Sequence, residues 1–121
     1  MDLIESREDY LERILILKEE KGIVRSIDIA QSMNFSKASV SIAMKKLRDN
    51  GLIIVDEKGH ITLSKKGQEI AENTYSRHKV LSELFVYFGV DKETAKKDAC
   101  KVEHDISEKT FKAIQKFINN K

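Results

Sequence analysis

The chain contains no proline, so nothing of that kind interrupts long helices. Its one cysteine, Cys100, excludes an internal disulfide and suits a compartment where thiols stay reduced. No apolar run approaches the roughly 20 residues that a membrane-spanning helix needs. The opening stretch, MDLIESREDYLE, is charged and lacks the apolar segment of a secretory leader. These absences lead us to expect a cytoplasmic protein with no membrane partner. A strong charge of one sign is missing as well, because 22 Lys and Arg stand against 20 Asp and Glu, leaving a net +2. A general polyanion binder would be more basic, whereas a local basic face with a separate acidic site gives this balance. We find no internal repeat and no low-complexity segment.

What is present is 121 residues, 40% hydrophobic and 35% charged. That is enough for one domain, or one domain with a small helical appendage. Tyr10, Leu11, Ile14, Leu15 and Leu17 recur at helical spacing and predict a helix over 6–21, stopped by Gly22. Ser26 caps a short helix over 27–33, and Asn34-Phe35 forms a tight connection. Ser36 caps a third helix with Val40, Met44 and Leu47 as its apolar set, ended by Asn50-Gly51. The runs 52–55 and 60–63 flank a polar turn containing glycine and predict a hairpin. Ser64 caps a long helix reaching Phe88; Asp91 caps a helix over 92–105; Ser107 caps a last helix through Ile118, with Phe111, Ile114 and Phe117 on one face.

Three helices followed by a hairpin is the order of a winged helix-turn-helix. The expected fold class is therefore mainly α, a winged helix-turn-helix domain over 1–72 followed by an all-helical dimerisation domain over 73–121. The third helix carries Ser36, Lys37, Ser39, Ser41, Lys45 and Lys46, with Arg48 near its end. Lysines reach phosphates, and short hydroxyls let a helix approach base edges closely. Lys58 stands at the wing tip, and Lys65 and Lys66 just beyond it. Lysines alone favour a solvated, serine-rich surface helix on a domain that does not bind DNA; the ordered helix-turn-helix-hairpin pattern reverses that preference and points to double-stranded DNA.

A second constellation lies in the helical half. Cys100, Glu103 and His104 stand at i, i+3 and i+4, which projects a thiolate, a carboxylate and an imidazole from one side of a helix. All three are donors for transition metals. Asp9 and Glu12 share a face of the first helix, and His78 lies mid-way along the long one. Taken singly, each has a plain alternative: a solvated helix face, a surface histidine, a small buried thiol. Spacing leaves both readings open.

The chain resembles the diphtheria toxin repressor and manganese transport regulator family of metal-dependent repressors. The matching segments are Glu8-Asp9-Tyr10-Leu11-Glu12 with Ile14 to Gly22, Ile27-Asp28-Ile29-Ala30, Ser39-Val40, Leu63-Ser64-Lys65-Lys66-Gly67, Arg77-His78 and Cys100-Lys101-Val102-Glu103-His104. They cover nearly the whole chain. The resemblance implies metal ligands at Asp9, Glu12, His78, Cys100, Glu103 and His104. This set is a hybrid. Asp9 and Glu12 resemble the manganese branch, where glutamate usually holds the position of Cys100. Cys100 resembles the iron branch, where methionine usually holds the position of Asp9. Ser82 and Lys96 occupy the positions of the iron branch's further ligands, so we expect no ancillary site, and no SH3-like third domain within these residues. Oxygen donors suit Mn2+, while a thiolate favours Fe2+, Co2+, Ni2+ or Zn2+. The expected cofactor is Fe2+ or Mn2+, with the others able to bind in vitro.

The expected function is a homodimeric repressor that binds palindromic operator DNA when metal-loaded and controls metal homeostasis genes. Val80, Leu84, Phe85, Val102, Ile106, Phe111, Ile114 and Phe117 are expected at the dimer interface. The alternative is a metal-independent winged-helix regulator with Cys100 as a redox sensor or core residue. A hydrolytic metalloenzyme is disfavoured, because six protein donors leave little room for substrate or activated water.

Overall fold

The computed structural model describes residues 3–121. The elements run α1 (Leu3–Lys21), α2 (Ser26–Met33), α3 (Lys37–Asp49), β1 (Ile53–Val55), β2 (Ile61–Leu63), α4 (Lys65–Tyr87), α5 (Lys92–Val102) and α6 (Glu108–Asn120). They fall into two compact units, Met1–Glu72 and Asn73–Lys121.

In the first unit, α1 packs on α2 and β2, α2 on α3, and α3 on β1. Leu11, Ile14, Val24, Ile29, Val40, Leu52 and Ile61 are buried at its centre. Full burial of each such side chain stabilises by about 1.5–3 kcal/mol. The turn between α2 and α3 is tight because Asn34 takes left-handed dihedrals (φ 58°, ψ 42°), which asparagine tolerates better than most residues. Phe35 N–H then bonds the Ala30 carbonyl at 3.0 Å. Ser36 caps α3, its Oγ accepting from Ser39 N–H at 3.1 Å. The first helix begins at Leu3, earlier than its apolar spacing indicates, since no glycine or proline interrupts it.

The wing is an antiparallel pair with Ile53 opposite Leu63 and Val55 opposite Ile61. Its turn is organised by Asp56, whose Oδ1 accepts from Lys58 N–H at 2.9 Å and His60 N–H at 2.8 Å. Ile61 N–H bonds the Val24 carbonyl at 2.7 Å, and the Arg25 guanidinium donates to His60 Nε2 at 2.8 Å. The wing is thus fastened to the segment that enters α2. At the start of α4, Ser64 Oγ accepts from Gly67 N–H at 3.1 Å and donates to the Gly51 carbonyl at 2.7 Å. A Cβ at Gly67 would collide with the Leu52 carbonyl, so this close approach requires glycine.

The second unit holds the rest of α4 with α5 and α6. Asp91 and Ser107 cap α5 and α6, accepting from Thr94 and Thr110 N–H at 3.0 and 3.1 Å. Leu81, Leu84, Ala95, Ala99, Phe111 and Ile118 are buried. Two expectations change here. The fifth helix stops at Val102 rather than 105: Asp105 N–H bonds the Val102 carbonyl, and the Arg77 guanidinium takes the carbonyls of Glu103 and Ile106 at 3.2 and 2.8 Å. Leu84 and Phe111, expected at a dimer interface, are buried within the chain, whereas Tyr87, Phe88 and Phe117 are exposed by 55, 66 and 49%.

Candidate metal centre and nucleic-acid interface

The second unit gathers three of the expected ligands. Donor atoms of His78, Cys100 and Glu103 all lie within 4.8 Å of one another. The Glu103 carboxylate is fully buried, a position that carries a large desolvation cost unless it is compensated. It lies between two imidazoles, with His78 Nδ1 3.0 Å from Oε2 and His104 Nε2 3.4 Å from Oε1. The His104 side chain is almost fully buried, while Cys100 is exposed. Glu103 keeps helical dihedrals as the C-cap of α5, whereas His104 lies in the turn beyond it. The three residues from 100 to 104 therefore do not share one regular helix, as their spacing alone suggests.

This donor set fits a divalent transition metal. Ligand atoms at about 2.0–2.3 Å from one ion are separated by distances that small rotamer changes here would reach. Imidazole, thiolate and carboxylate together suit a first-row ion of intermediate softness. Asp9 and Glu12 stand three residues apart on α1 in the first unit, half-buried and buried respectively.

Arg77 is the residue that sequence reasoning passed over, quoting it only as a neighbour of His78. Besides the two carbonyls, its guanidinium pairs with Glu108 at 2.9 Å and lies 5.3 Å from the Phe111 ring centroid. It holds the turn that carries Glu103 and His104 to the same helix that supplies His78. A lone arginine beside a histidine gives only a weak signal of this role, since the carbonyls it binds are 26 and 29 residues away.

In the first unit, Ser36, Lys37, Ser39, Ser41, Lys45, Lys46, Arg48 and Lys58 are all exposed. Ser36 and Ser39 are also bonded to each other, Oγ to Oγ, at 2.9 Å. The Asp56 carboxyl is held below its usual range by the N–H groups of His60 and Lys58. Asp28 is held low by the Arg25 N–H and by Lys21. Asp91, in the other unit, is held low by the Thr94 N–H.

Residues 2–61 match the N-terminal DNA binding domain of iron dependent repressors, and residues 64–121 match the metal binding and dimerisation domain of the same repressors. The class is thus that of metal-dependent transcriptional repressors. The chain is 34% identical over 116 residues to an HTH-type transcriptional regulator of Methanocaldococcus jannaschii, covering 94% of this chain and 93% of the relative. It is 36% identical over 102 residues to the HTH-type transcriptional regulator MntR of Shouchella clausii, covering 84% of this chain and 71% of that one. The manganese regulator SloR superposes with a TM-score of 0.82 at 30% identity, and T. acidophilum IdeR with 0.83 at 25%. Each comparison covers 93% of this chain but 53% of the solved chain, so the chain spans about half the length of those structures. The chain belongs to the diphtheria toxin repressor and manganese transport regulator family. Among the described residues, no helix is long and apolar enough to cross a membrane.

Proposed function

We propose that the protein is a cytoplasmic homodimeric repressor that binds palindromic operator DNA when loaded with Fe2+ or Mn2+, and so controls metal homeostasis genes. In this reading residues 1–72 bind DNA, and residues 73–121 bind metal and dimerise. The observation that carries it is the convergence of His78, Cys100 and Glu103 in the unit that matches a metal-binding domain. His104, Asp9 and Glu12 complete the proposed ligand set. Bound metal would supply a Lewis-acidic cation that these donors share.

The DNA face would be α3 and the wing. Lys37, Lys45, Lys46 and Lys58 would replace counterions along phosphates, and Ser36, Ser39 and Ser41 would approach the backbone or base edges. Dimerisation would use the exposed aromatic end of the second unit. There Phe88, Lys109, Ile114 and Phe117 line an open groove of about 580 Å³, and Tyr87 and Phe117 meet edge-on at 5.9 Å. Apolar surface of this kind on a small unit marks an association face. Metal and DNA would act on each other reciprocally: whatever factor metal adds to DNA affinity, DNA adds to metal affinity.

The test is retention of random-sequence duplex DNA by the protein in chelator, in Mn2+, and in Fe2+ without oxygen. Sequence-selective retention with either metal, lost in chelator, supports the reading; equal retention in all three contradicts it. The role of the thiolate is tested by Cys100→Glu, which replaces the soft donor with a hard one. The ratio of Mn2+ to Fe2+ affinity should rise, and an unchanged ratio removes Cys100 from the ligand set.

A further inference from the structure

We propose that Ile42 reads sequence by seating its side chain against the C5 methyl group of a thymine in the DNA major groove. The inference rests on α3 being the recognition helix and goes further by naming a base and the residue that selects it.

The buried stripe of α3 is Val40, Met44 and Leu47. At about 100° per residue, position 42 lies roughly opposite that stripe. Ile42 is accordingly 60% exposed, at the middle of the outward face. Other large apolar side chains exposed in this unit, Ile23, Phe35 and Ile54, lie outside α3. On either side of Ile42 stand Ser39, Ser41, Lys45 and Lys46, all exposed, and Asp49 is the only acid on this helix, at its far end. The surface therefore mixes cations and short hydroxyls around one branched hydrocarbon at its centre. Ala38, one turn earlier and also exposed, leaves room for the helix to approach closely.

That arrangement complements a groove with phosphate walls and a base floor. Ile42 has no donor and no acceptor. On the floor of the major groove only thymine presents a methyl group; the other bases present amino groups, carbonyl oxygens or ring nitrogens. Against thymine, Ile42 buries apolar surface on both partners. Against cytosine it would cover an amino group and leave it without a hydrogen bond. Attraction and penalty both select the same base.

The experiment begins with duplexes selected from a random-sequence library by the full-length protein in Mn2+. Each thymine of a selected duplex is then replaced in turn by deoxyuridine, which lacks only the methyl group. At one thymine per half-site the replacement should weaken wild-type binding about fourfold, the value of one buried methylene-sized group. The same replacement should have no effect on Ile42→Ala, whose thermal unfolding should match the wild type because position 42 is exposed. Ile42→Gln should shift selection at that position from thymine to adenine, whose major-groove edge glutamine pairs with. If Ile42→Ala responds to every deoxyuridine as the wild type does, Ile42 is not the reader. If the wild type selects no duplex with Mn2+ or Fe2+, the recognition-helix reading fails, and this inference with it.

Discussion

The first unit packs Leu11, Ile14, Ile29, Val40, Leu52 and Ile61 into an apolar core and leaves the cations of α3 and the wing at its surface, while the second brings a fully buried carboxylate, Glu103, between two imidazoles. The surface charges of the first unit act at long range, are screened by salt, and carry little of its stability. The buried charges of the second are held at short range, where an unmatched partner is costly. The surface cations of the winged unit are thus expected to matter for what it binds rather than for its folding. The helical unit is expected to respond strongly to whatever ion its donors meet. The two clusters differ in how they hold charge: the cations of α3 and the wing lie at the surface, and the Glu103 carboxylate is buried.

The largest expected effect is at the centre of the buried cluster. Glu103→Ala should lower affinity for Mn2+ and Fe2+ alike by roughly 100-fold or more, since even outer partners of ligands contribute 10- to 100-fold. Isothermal titration checks it, and a loss confined to one metal would show that Glu103 selects rather than binds. Next comes Arg77, which we place as a positioning residue. Arg77→Gln frees the carbonyls of Glu103 and Ile106 and should cost about 10- to 100-fold in metal affinity, with circular dichroism showing α4 and α6 still helical. Unchanged affinity would mean that the turn holds its shape without the guanidinium.

A third test belongs to the first unit. Gly67→Ala forces a Cβ against the backbone carbonyl of Leu52 and should destabilise by about 1–3 kcal/mol, as overpacking does. Urea unfolding measures this, and an unchanged midpoint would mean that the backbone at Leu52 gives way to the added methyl group at little cost.

The smallest effect concerns acid. Asp28, Asp56 and Asp91 accept backbone N–H bonds that hold their carboxyls below the ordinary 3.8. Because the folded values are depressed, these groups contribute stability that is complete above pH about 4 and is lost as pH falls through the folded values. Asp91→Asn keeps the cap but cannot titrate, so the fall in Tm below pH 4 should be shallower than in the wild type. An identical fall would assign the acid sensitivity to other groups.

Much of this architecture is legible in the sequence because it is encoded locally. Ser36, Asp91 and Ser107 announce the helices they cap, and Asn34 and Asn50-Gly51 announce where chains turn. What is not legible depends on residues distant along the chain. The fifth helix ends at Val102, where Asp105 N–H closes a tighter turn on the Val102 carbonyl, and Arg77 from a distant helix holds the carbonyls of Glu103 and Ile106 beyond it. Leu84 and Phe111 look like interface residues by type, but neighbours from other helices bury them. The pairing of His78 with Glu103 spans 25 positions, and spacing within one helix carries no trace of it; only family resemblance joins the two. Ile42 shows the opposite failure. Its helical phase sets it apart from Val40, Met44 and Leu47, yet its residue type disguises it as core.

The central claim is that metal and DNA are bound by one coupled system. It is tested most directly by titrating Mn2+ into the protein alone and into its complex with a selected duplex, and by measuring duplex affinity with and without Mn2+. The account predicts that both affinities rise by the same factor, on the order of 5- to 150-fold. Equal metal affinity with and without DNA, alongside tight DNA binding in chelator, would contradict it.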